Sequence, residues 1–499
     1  MERYTVASAV RAVKEGTLTS ERLVQNCIDA FENDKKTQTP LNAFLELYED
    51  ALSNAKNCDA LCVQARKEGT QALERLFEQK PLLGIPFGVK DNISVKGKNL
   101  TCASRILEGY KAPYDATVIR RLIEAGAVPV GRCNQDEFAM GSSTEYSAYG
   151  PTRNPVDTSC VAGGSSGGSA AVVSWGAVPF ALGTETGGSV RLPASYCGVY
   201  GLKPTYGLLS RWGVVAFGSS LDQVGIFGTT PDDIALPLSV MAGKDFYDDT
   251  SIDFPDAHNL RFSCAAFTDS QFKSLKVAIP RQFIQAQGLE SEVACVFDKV
   301  KNWLVQKGAH VDIVDLPVLD ASIACYYVIA LSEAASNLSR FDGIRYGKRK
   351  DSGEGYDELY VQTRSDGFGA EVKRRIVIGN YVLSEQFSGS CYKKAMSVRA
   401  RIQRDIARLY ENYNCIICPT SPTAAFKLGQ KIDNPMAMYL SDMFTIFVNL
   451  SRTASISVPA GKTSEDLPVG VQFAGPMLSE ARLLSLAQSW HTDCAREEK

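Results

Sequence analysis

Histidine is scarce in this sequence. Its 499 residues include only three, His258, His310 and His491, and none lies in a glycine- or serine-rich motif. A Ser-His-Asp hydrolase uses imidazole as its general base, so that mechanism has no natural candidate here. If the chain performs acyl transfer, the base must be another side chain, and lysine is the first to consider.

The sequence also lacks an excess of positive charge. Lysine and arginine number 53 against 56 aspartates and glutamates, which gives a net charge of -3 and a pI of about 5.9. A surface that binds nucleic acid by itself is typically basic, and this composition disfavours one. We therefore expect any contact with RNA to be made mainly through a partner protein.

The 14 cysteines lack the spacing of a metal site. The closest pairs, Cys58/Cys62 and Cys415/Cys418, have neither a second pair nor histidines at the distance that zinc fingers use. Ordinary buried thiols explain them better. The sequence therefore predicts no metal site in this chain.

Long apolar runs are absent as well. Residues 1–31 are amphipathic and charged, without the apolar segment of a secretory signal, and the apolar residues 170–182 are too few and too interrupted to cross a bilayer. We expect a protein of the cytoplasm, whose thiols stay reduced.

Helical and strand-like segments alternate after residue 80, which predicts an α/β sheet with helices on both faces. Residues 82–89 and 127–130 are strand-like, and 115–125 form a predicted helix. The first 80 residues are typical of helices alone, with one helix closed by Gly16 and the next capped by Ser20. We predict an N-terminal helical layer, 1–80, and a core, 81–499, without a linker between them.

The signals are weaker in the second half of the chain. Residues 231–241 are typical of a helix, and 245–272 of a polar excursion. Residues 345–368 are charged and contain glycine, which predicts a loop that moves or faces a partner.

Two glycine–serine clusters stand out, GGSSGGS at 163–169 and TGGS at 186–189. Without Cβ atoms, glycines let backbone N–H groups converge on one point, as they do around an oxyanion or a phosphate. The first cluster lacks the lysine of a Walker phosphate loop, and its flanks are too apolar for a flexible linker. A constrained active-site loop fits it best. For TGGS, an ordinary turn at a strand end stays an alternative.

Several segments together resemble the amidase signature family. GGSSGGS and GTETGGSVRLPA at 183–194 are similar to its signature, and GVKDNI at 88–93 to its lysine motif. Within the family, NQDEFAMGSSTE at 134–145 and GLKPTYG at 201–207 resemble subunits that supply ammonia to tRNA-dependent amidotransferases. The resemblance runs nearly end to end and implies that family's fold, with a large mixed sheet.

The resemblance implies a Ser-Ser-Lys triad in which Ser189 is the nucleophile, Ser165 the bridging serine and Lys90 the base. It also implies a cis peptide between Gly164 and Ser165. A free lysine has a pKa near 10.4 and is protonated at neutral pH, so Lys90 must be buried to act as a base.

The oxyanion hole is expected at the backbone N–H groups of Thr186, Gly187, Gly188 and Ser189. The loss of one such donor typically raises a barrier by about 3 kcal/mol.

The chain departs from the family pattern at three places. Glu185 and Leu192 stand where aspartate and glutamine are usual, and the RTAS sequence at 452–455 replaces a more apolar stretch. Their effect on the substrate pocket is open, but no triad position is lost.

For the substrate, the resemblance implies glutamine, with Arg375 at its α-carboxylate and Asp442 at its α-ammonium. Tyr326 and Ser142 are further pocket residues. Taken alone, an arginine or an aspartate is more often a solvated surface charge.

The resemblance also implies two partner proteins, the B and C subunits, in a heterotrimer. ATP and Mg²⁺ would be used by a partner to amidate glutamate on a misacylated tRNA, and this chain itself would carry no cofactor. A free-standing amidase of the same family is the nearest alternative. A non-catalytic scaffold or binding protein is a more distant one, because the Ser/Ser/Lys set is complete.

Overall fold

The computed structural model describes residues 3–253, 262, 264–384 and 390–497. Within them the strands are β1 Phe44–Leu47, β2 Pro86–Lys90, β3 Val128–Cys133, β4 Phe180–Glu185, β5 Tyr200–Lys203, β6 Gln223–Gly228, β7 Lys276–Pro280, β8 His310–Val314, β9 Cys415–Pro419, β10 Ala454–Lys462 and β11 Pro468–Gly475. All of them belong to one sheet, in the order β1-β3-β2-β4-β6-β5-β10-β11-β9-β7-β8.

The sheet is mixed, as predicted. β2 lies between β3 and β4 and runs parallel to both, and β7 runs parallel to β8 and β9. The remaining pairs are antiparallel. Because the carboxyl ends of parallel strands meet at one edge of a sheet, the last residues of β2 and β4 lie side by side.

Helices cover both faces of the sheet. They are α1 Val6–Glu15, α2 Ser20–Asp34, α3 Ala51–Glu68, α4 Thr70–Gln79, α5 Thr117–Glu124, α6 Gly167–Ser174, α7 Arg191–Cys197, α8 Pro231–Met241, α9 Asp269–Ser274, α10 Arg281–Ile284, α11 Ser291–Gln306, α12 Ser322–Asn337, α13 Tyr356–Gly367, α14 Ala370–Leu383, α15 Ser390–Tyr410, α16 Pro435–Tyr439, α17 Ile446–Ser451 and α18 Glu480–Glu497.

Two apolar cores lie on opposite faces of the sheet at β9. Cys415 and Ile417 belong to one core, and the alternating residues Ile416 and Cys418 belong to the other. Successive side chains of a strand point to opposite faces, so each core is closed by its own layer of helices. α12 contributes to the second core, where it packs against α14, α15 and α17.

Of the two helix boundaries predicted in the first 80 residues, the structure confirms one. α1 ends at Gly16, whose φ of 80° is the left-handed conformation that glycine adopts freely. The cap of α2 is Thr19 and not Ser20, because the Thr19 hydroxyl accepts the Arg22 N–H while Ser20 is buried. The prediction of helices alone in this region is wrong at β1, which pairs with β3.

Most later predictions hold within a few residues. The helix predicted at 231–241 has those bounds, and the one predicted at 115–125 is α5. Part of the predicted excursion 245–272, residues 254–261 and 263, lies outside the described residues. The loop predicted at 345–368 is wrong over α13, whose Leu359 and Thr363 face inward.

One helical segment, Pro317–Arg340, is long and apolar enough to cross a membrane by length and composition. Of its most apolar window, 67% is buried inside the protein. Because it packs against α14 and α15, this burial is that of a core helix.

Candidate active site

Lys90 is the last residue of β2, and all five residues of that strand are buried. Its ammonium nitrogen lies 2.8 Å from Ser165 Oγ, 2.8 Å from Ser166 Oγ and 3.2 Å from the carbonyl oxygen of Thr184. The parallel pairing of β2 with β4 brings Thr184 to this point. The structure therefore brings together Lys90 and Ser165, as the family resemblance implies.

Burial lowers the pKa of Lys90 from 10.5 to about 7, while the charges of Asp136 and Asp222 oppose the shift. Near neutral pH about half of such a group is the free amine, which can accept a proton from a serine. Burial also lowers the pKa of a second lysine, Lys203, to about 7. Its ammonium group contacts the Pro204 carbonyl and no serine of the clusters.

Ser165 lies at the N-terminal side of α6. The peptide bond between Gly164 and Ser165 is cis, as the family resemblance implies. The backbone N–H of Asp136 donates to the Ser165 carbonyl, at 3.2 Å, and the Asp136 carboxylate accepts the N–H groups of Thr144 and Tyr146. A Cβ atom at Gly164 would lie 2.1 Å from Asp136 Oδ2, so only glycine fits there.

The predicted nucleophile, Ser189, follows β4 and precedes α7. It is 7% exposed, whereas Lys90 and Ser165 are fully buried, so Ser189 is the most accessible of the three residues. The backbone carbonyl of Ser189 accepts the Ser166 N–H at 3.2 Å, which ties the two clusters together.

The glycines beside Ser189 are required by close packing and not by a positive φ. A Cβ atom at Gly187 would lie 2.7 Å from the Tyr326 ring, and one at Gly188 would lie 2.4 Å from Thr445 Oγ1. Across the described ranges, no group accepts a hydrogen bond from the N–H of Gly187, Gly188 or Ser189. These donors are therefore available to an oxyanion.

A buried ion pair joins the two ends of the loop that carries Ser189. Glu185 pairs with Arg191 and also accepts the backbone N–H groups of Val190 and Arg191, at 3.0 and 3.2 Å. Burial alone would raise the pKa of Glu185, but Arg191 holds it below its ordinary value. Glu185, in place of the usual aspartate, thus spans the turn that carries Ser189.

The other two departures are Leu192 and the stretch that begins at Arg452; the backbone N–H of Leu192 donates to the Gly188 carbonyl at 2.8 Å. Leu192 is fully buried in the first apolar core. Arg452 ends α17 with a φ of 65° and lies 5.0 Å from the centre of the Tyr206 ring.

Arg375 is buried, contrary to what composition alone favours. It lies on α14, 3% exposed, and its Nε donates to Glu371 Oε1 at 2.8 Å. The guanidinium group also lies over the rings of Tyr439 and Tyr327, at 5.3 and 5.9 Å. In the described part of the chain Glu371 is its one hydrogen-bond acceptor, which leaves N–H groups for a ligand carboxylate.

Asp442 lies beside the glycines of the Ser189 loop. A Cβ atom at Gly188 would be 2.9 Å from Asp442 Oδ1, and Ser142 Oγ donates to Asp442 Oδ2 at 2.6 Å. Burial raises the pKa of Asp442 to about 7, while Ser142 and Arg375 lower it. Tyr326 reaches the same loop, because its hydroxyl lies 2.8 Å from Thr186 Oγ1.

Three contacting residues were not predicted. Ser166 contacts Lys90 as closely as Ser165 does, and its position next to Ser165 was the available signal. Thr445 donates to the Gly187 carbonyl at 2.5 Å, a contact that nothing in the sequence indicates. Glu371 precedes Arg375 by four residues, a spacing that places both on one helix face.

Metal-ligating side chains do not cluster around these residues. Over the whole described part of the chain, no group of three or more histidine, cysteine, aspartate or glutamate side chains is placed to hold a metal ion.

This chain is similar to known proteins over nearly its whole length. A family model described as "Amidase" matches residues 23–484. The A subunit of the glutamyl-tRNA(Gln) amidotransferase from Treponema denticola is 58% identical over 478 residues, covering 96% of each chain.

Solved structures agree. The crystal structure of the A subunit of the glutamyl-tRNA(Gln) amidotransferase from Thermotoga maritima matches with a TM-score of 0.76 and 37% identity, over 97% of this chain and 94% of that one. A peptide amidase from Stenotrophomonas maltophilia matches with a TM-score of 0.79 and 26% identity, over 98% and 96%. The family model and the close relatives together show that the chain belongs to the amidase family.

Proposed function

We propose that this chain is the glutamine-hydrolysing A subunit of a glutamyl-tRNA(Gln) amidotransferase in the cytoplasm. It releases ammonia from glutamine, and its partners, the B and C subunits, use that ammonia with ATP and Mg²⁺ to convert Glu-tRNA(Gln) to Gln-tRNA(Gln). The tRNA is contacted mainly through the partners, since this chain has no basic excess. The observation that carries the proposal is the fully buried Lys90, 2.8 Å from Ser165 Oγ.

In the proposed mechanism, neutral Lys90 takes a proton from Ser165, which takes one from Ser189. Ser189 Oγ attacks the carboxamide carbon of glutamine, and the backbone N–H groups of Gly187, Gly188 and Ser189, with that of Thr186, stabilise the oxyanion. The C–N bond then breaks, the nitrogen takes up the proton, and ammonia leaves a γ-glutamyl ester on Ser189. Water hydrolyses that ester to glutamate.

Substrate selection follows from the two buried charges. Arg375 pairs with the α-carboxylate of glutamine and Asp442 with its α-ammonium group, while Tyr326 and Ser142 orient the loop and the aspartate. A peptide amidase shares the fold with the chain, so the fold alone does not select glutamine. The charges at the far end of the pocket favour a zwitterionic amino acid amide.

When the chain is purified from its own cells, we expect two partner proteins to co-purify with it. Mass spectrometry would identify them. The complex with Glu-tRNA(Gln), ATP, Mg²⁺ and glutamine should form Gln-tRNA(Gln). A complex with Ser189→Ala should fail with glutamine and recover with ammonium chloride, because only the ammonia source is lost.

A chain that purifies alone and hydrolyses simple amides as well as glutamine would contradict the proposal and favour the free-standing amidase. Failure of ammonium chloride to restore the Ser189→Ala complex would place the defect outside glutamine hydrolysis.

The pH dependence should separate the roles of Lys90 and Asp442. Protonation of Lys90 below about pH 7 removes the base, so kcat/KM for a short uncharged amide should fall about tenfold per pH unit there. Asp442, whose pKa burial raises to about 7, loses its negative charge over the same range. For glutamine the decline should therefore be steeper and approach a slope of two.

Lys203→Met is the matched control, because burial lowers the pKa of both lysines to about 7 and only Lys90 contacts the serines. The acid limb should be unchanged in this variant. A flat profile for the uncharged amide in folded protein would mean that Lys90 stays charged and only positions the serines.

A further inference from the structure

One buried glutamate has no part in the proposed mechanism. It joins two segments near the site that are far apart in the chain. Glu137, 3% exposed, accepts the backbone N–H of Gly369 through Oε2 at 2.8 Å and the hydroxyl of Ser104 through Oε1. Glu137 and Gly369 are 232 residues apart in the chain. Gly369 is the N-cap of α14, the helix that carries Arg375.

The contact between Glu137 and Gly369 leaves no space for a side chain at position 369. A Cβ atom at Gly369 would lie 2.4 Å from Glu137 Oε2, although its φ of -70° suits any residue. A carboxylate that accepts the free N–H at a helix N-terminus is also favoured by the helix dipole. The bond therefore fixes where α14 begins, and Arg375 follows six residues later, a rise of about 9 Å along the helix.

The neighbouring residue reinforces this attachment. The Phe138 ring lies 5.5 Å from that of Phe368 and 4.9 Å from that of Phe341. Phe138 and Ala139 have φ values of 51° and 59°, which residues with side chains rarely adopt. Such a turn persists only where its surroundings over-determine it, as they do here.

The same stretch of chain contacts both other parts of the site. Just before Glu137, the Asp136 N–H donates to the Ser165 carbonyl. Just after it, Ser142 Oγ donates to Asp442. One short segment thus touches the serine cluster, the aspartate of the pocket and the helix of the arginine.

We propose that Glu137 is a positioning residue for substrate selection: its carboxylate fastens α14, and with it Arg375, at a set distance from Ser165 and Asp442. This inference rests on the proposed function, because it assumes that Arg375 binds the α-carboxylate of glutamine. Glu137 touches no reacting atom. Its loss lets α14 shift, so that the α-carboxylate is held poorly while the triad stays intact.

The test compares glutamine with a short uncharged amide in the complex with its partner proteins. Glu137→Ala should raise KM for glutamine roughly 10- to 100-fold, since a displacement of about 1 Å has effects of that size. Its kcat/KM for the uncharged amide should stay within about threefold. Gly369→Ala attacks the same contact from the other side and should show the same selective loss, which keeps the test valid if Glu137→Ala does not fold.

Glu137→Gln should restore near-normal KM. Its carboxamide oxygen can still accept the Gly369 N–H, and its amide can donate to Ser104 Oγ, whose hydroxyl then donates to the Gly367 carbonyl, 3.2 Å away. Glu480→Ala is the matched control. Glu480 is also a buried glutamate that accepts a backbone N–H, that of Thr205 at 2.6 Å, and its loss should not change the ratio between the two substrates.

Equal losses for both substrates in folded Glu137→Ala and Gly369→Ala would overturn the inference, as would a Glu137→Gln variant that is as poor as Glu137→Ala. A wild-type complex without preference for glutamine would instead refute the proposed function. The two failures are therefore distinguishable.

Discussion

Ser189→Ala is expected to abolish glutamine hydrolysis, with a loss on the order of 10⁴- to 10⁶-fold, because it removes the attacking oxygen. The fold should persist, since Ser189 makes its described hydrogen bond through its backbone carbonyl, which alanine retains. Ammonia release and acyl-enzyme formation, followed by mass spectrometry of the intact chain, are the measurements. Undiminished ammonia release from a folded variant would refute the assignment of the nucleophile.

The proposed relay predicts that the losses do not add. Lys90→Ala and Ser165→Ala should each lose most of the activity, and the double variant should be little worse, because the groups act as one unit. Ser166→Ala is the informative comparison. Ser166 Oγ also lies 2.8 Å from Lys90 Nζ, but it donates to the Thr184 carbonyl. Ser166→Ala should therefore lose less activity than Ser165→Ala. Simple additivity would count against a shared proton path.

Local signals in the sequence predicted the parts of the fold that depend on neighbouring residues. The sequence predicts a helix end at Gly16 because helices commonly end with a residue in the left-handed conformation, which glycine adopts most readily. Thr19 and Ser20 are both good caps, and burial of Ser20 against the core decided between them. The four residues of β1 form a strand because β3 pairs with them, a long-range contact that local propensity does not contain.

In the candidate site too, some contacts could be predicted from the sequence and others depend on long-range folding. The clusters around Ser165 and Ser189 are motifs that resemble those of a known family, and that resemblance implied the meeting of Lys90 with Ser165. The bond from Ser142 to Asp442 joins residues 300 positions apart, and it needed the folded chain. Composition alone favoured a surface position for Arg375, because it cannot show that Glu371 and two tyrosine rings enclose the guanidinium.

The charges of the pocket should separate glutamine from uncharged amides. Arg375 and Asp442 are both buried, and truncation of either leaves one charge of bound glutamine without its partner. The loss of one partner from a buried charge pair costs roughly 2–5 kcal/mol, which is about 30-fold to several thousandfold in kcat/KM. An uncharged amide gains nothing from either contact and should lose little.

The measurement is kcat/KM for glutamine and for a short uncharged amide in Arg375→Ala and Asp442→Ala. Arg374→Ala is the matched control: this arginine also pairs with Glu371, but its side chain is 42% exposed, so both substrates should be nearly unaffected. Glutamine use should collapse in the first two variants alone. Equal losses for the two substrates, or none for glutamine, would exclude the proposed pocket and favour a general amidase.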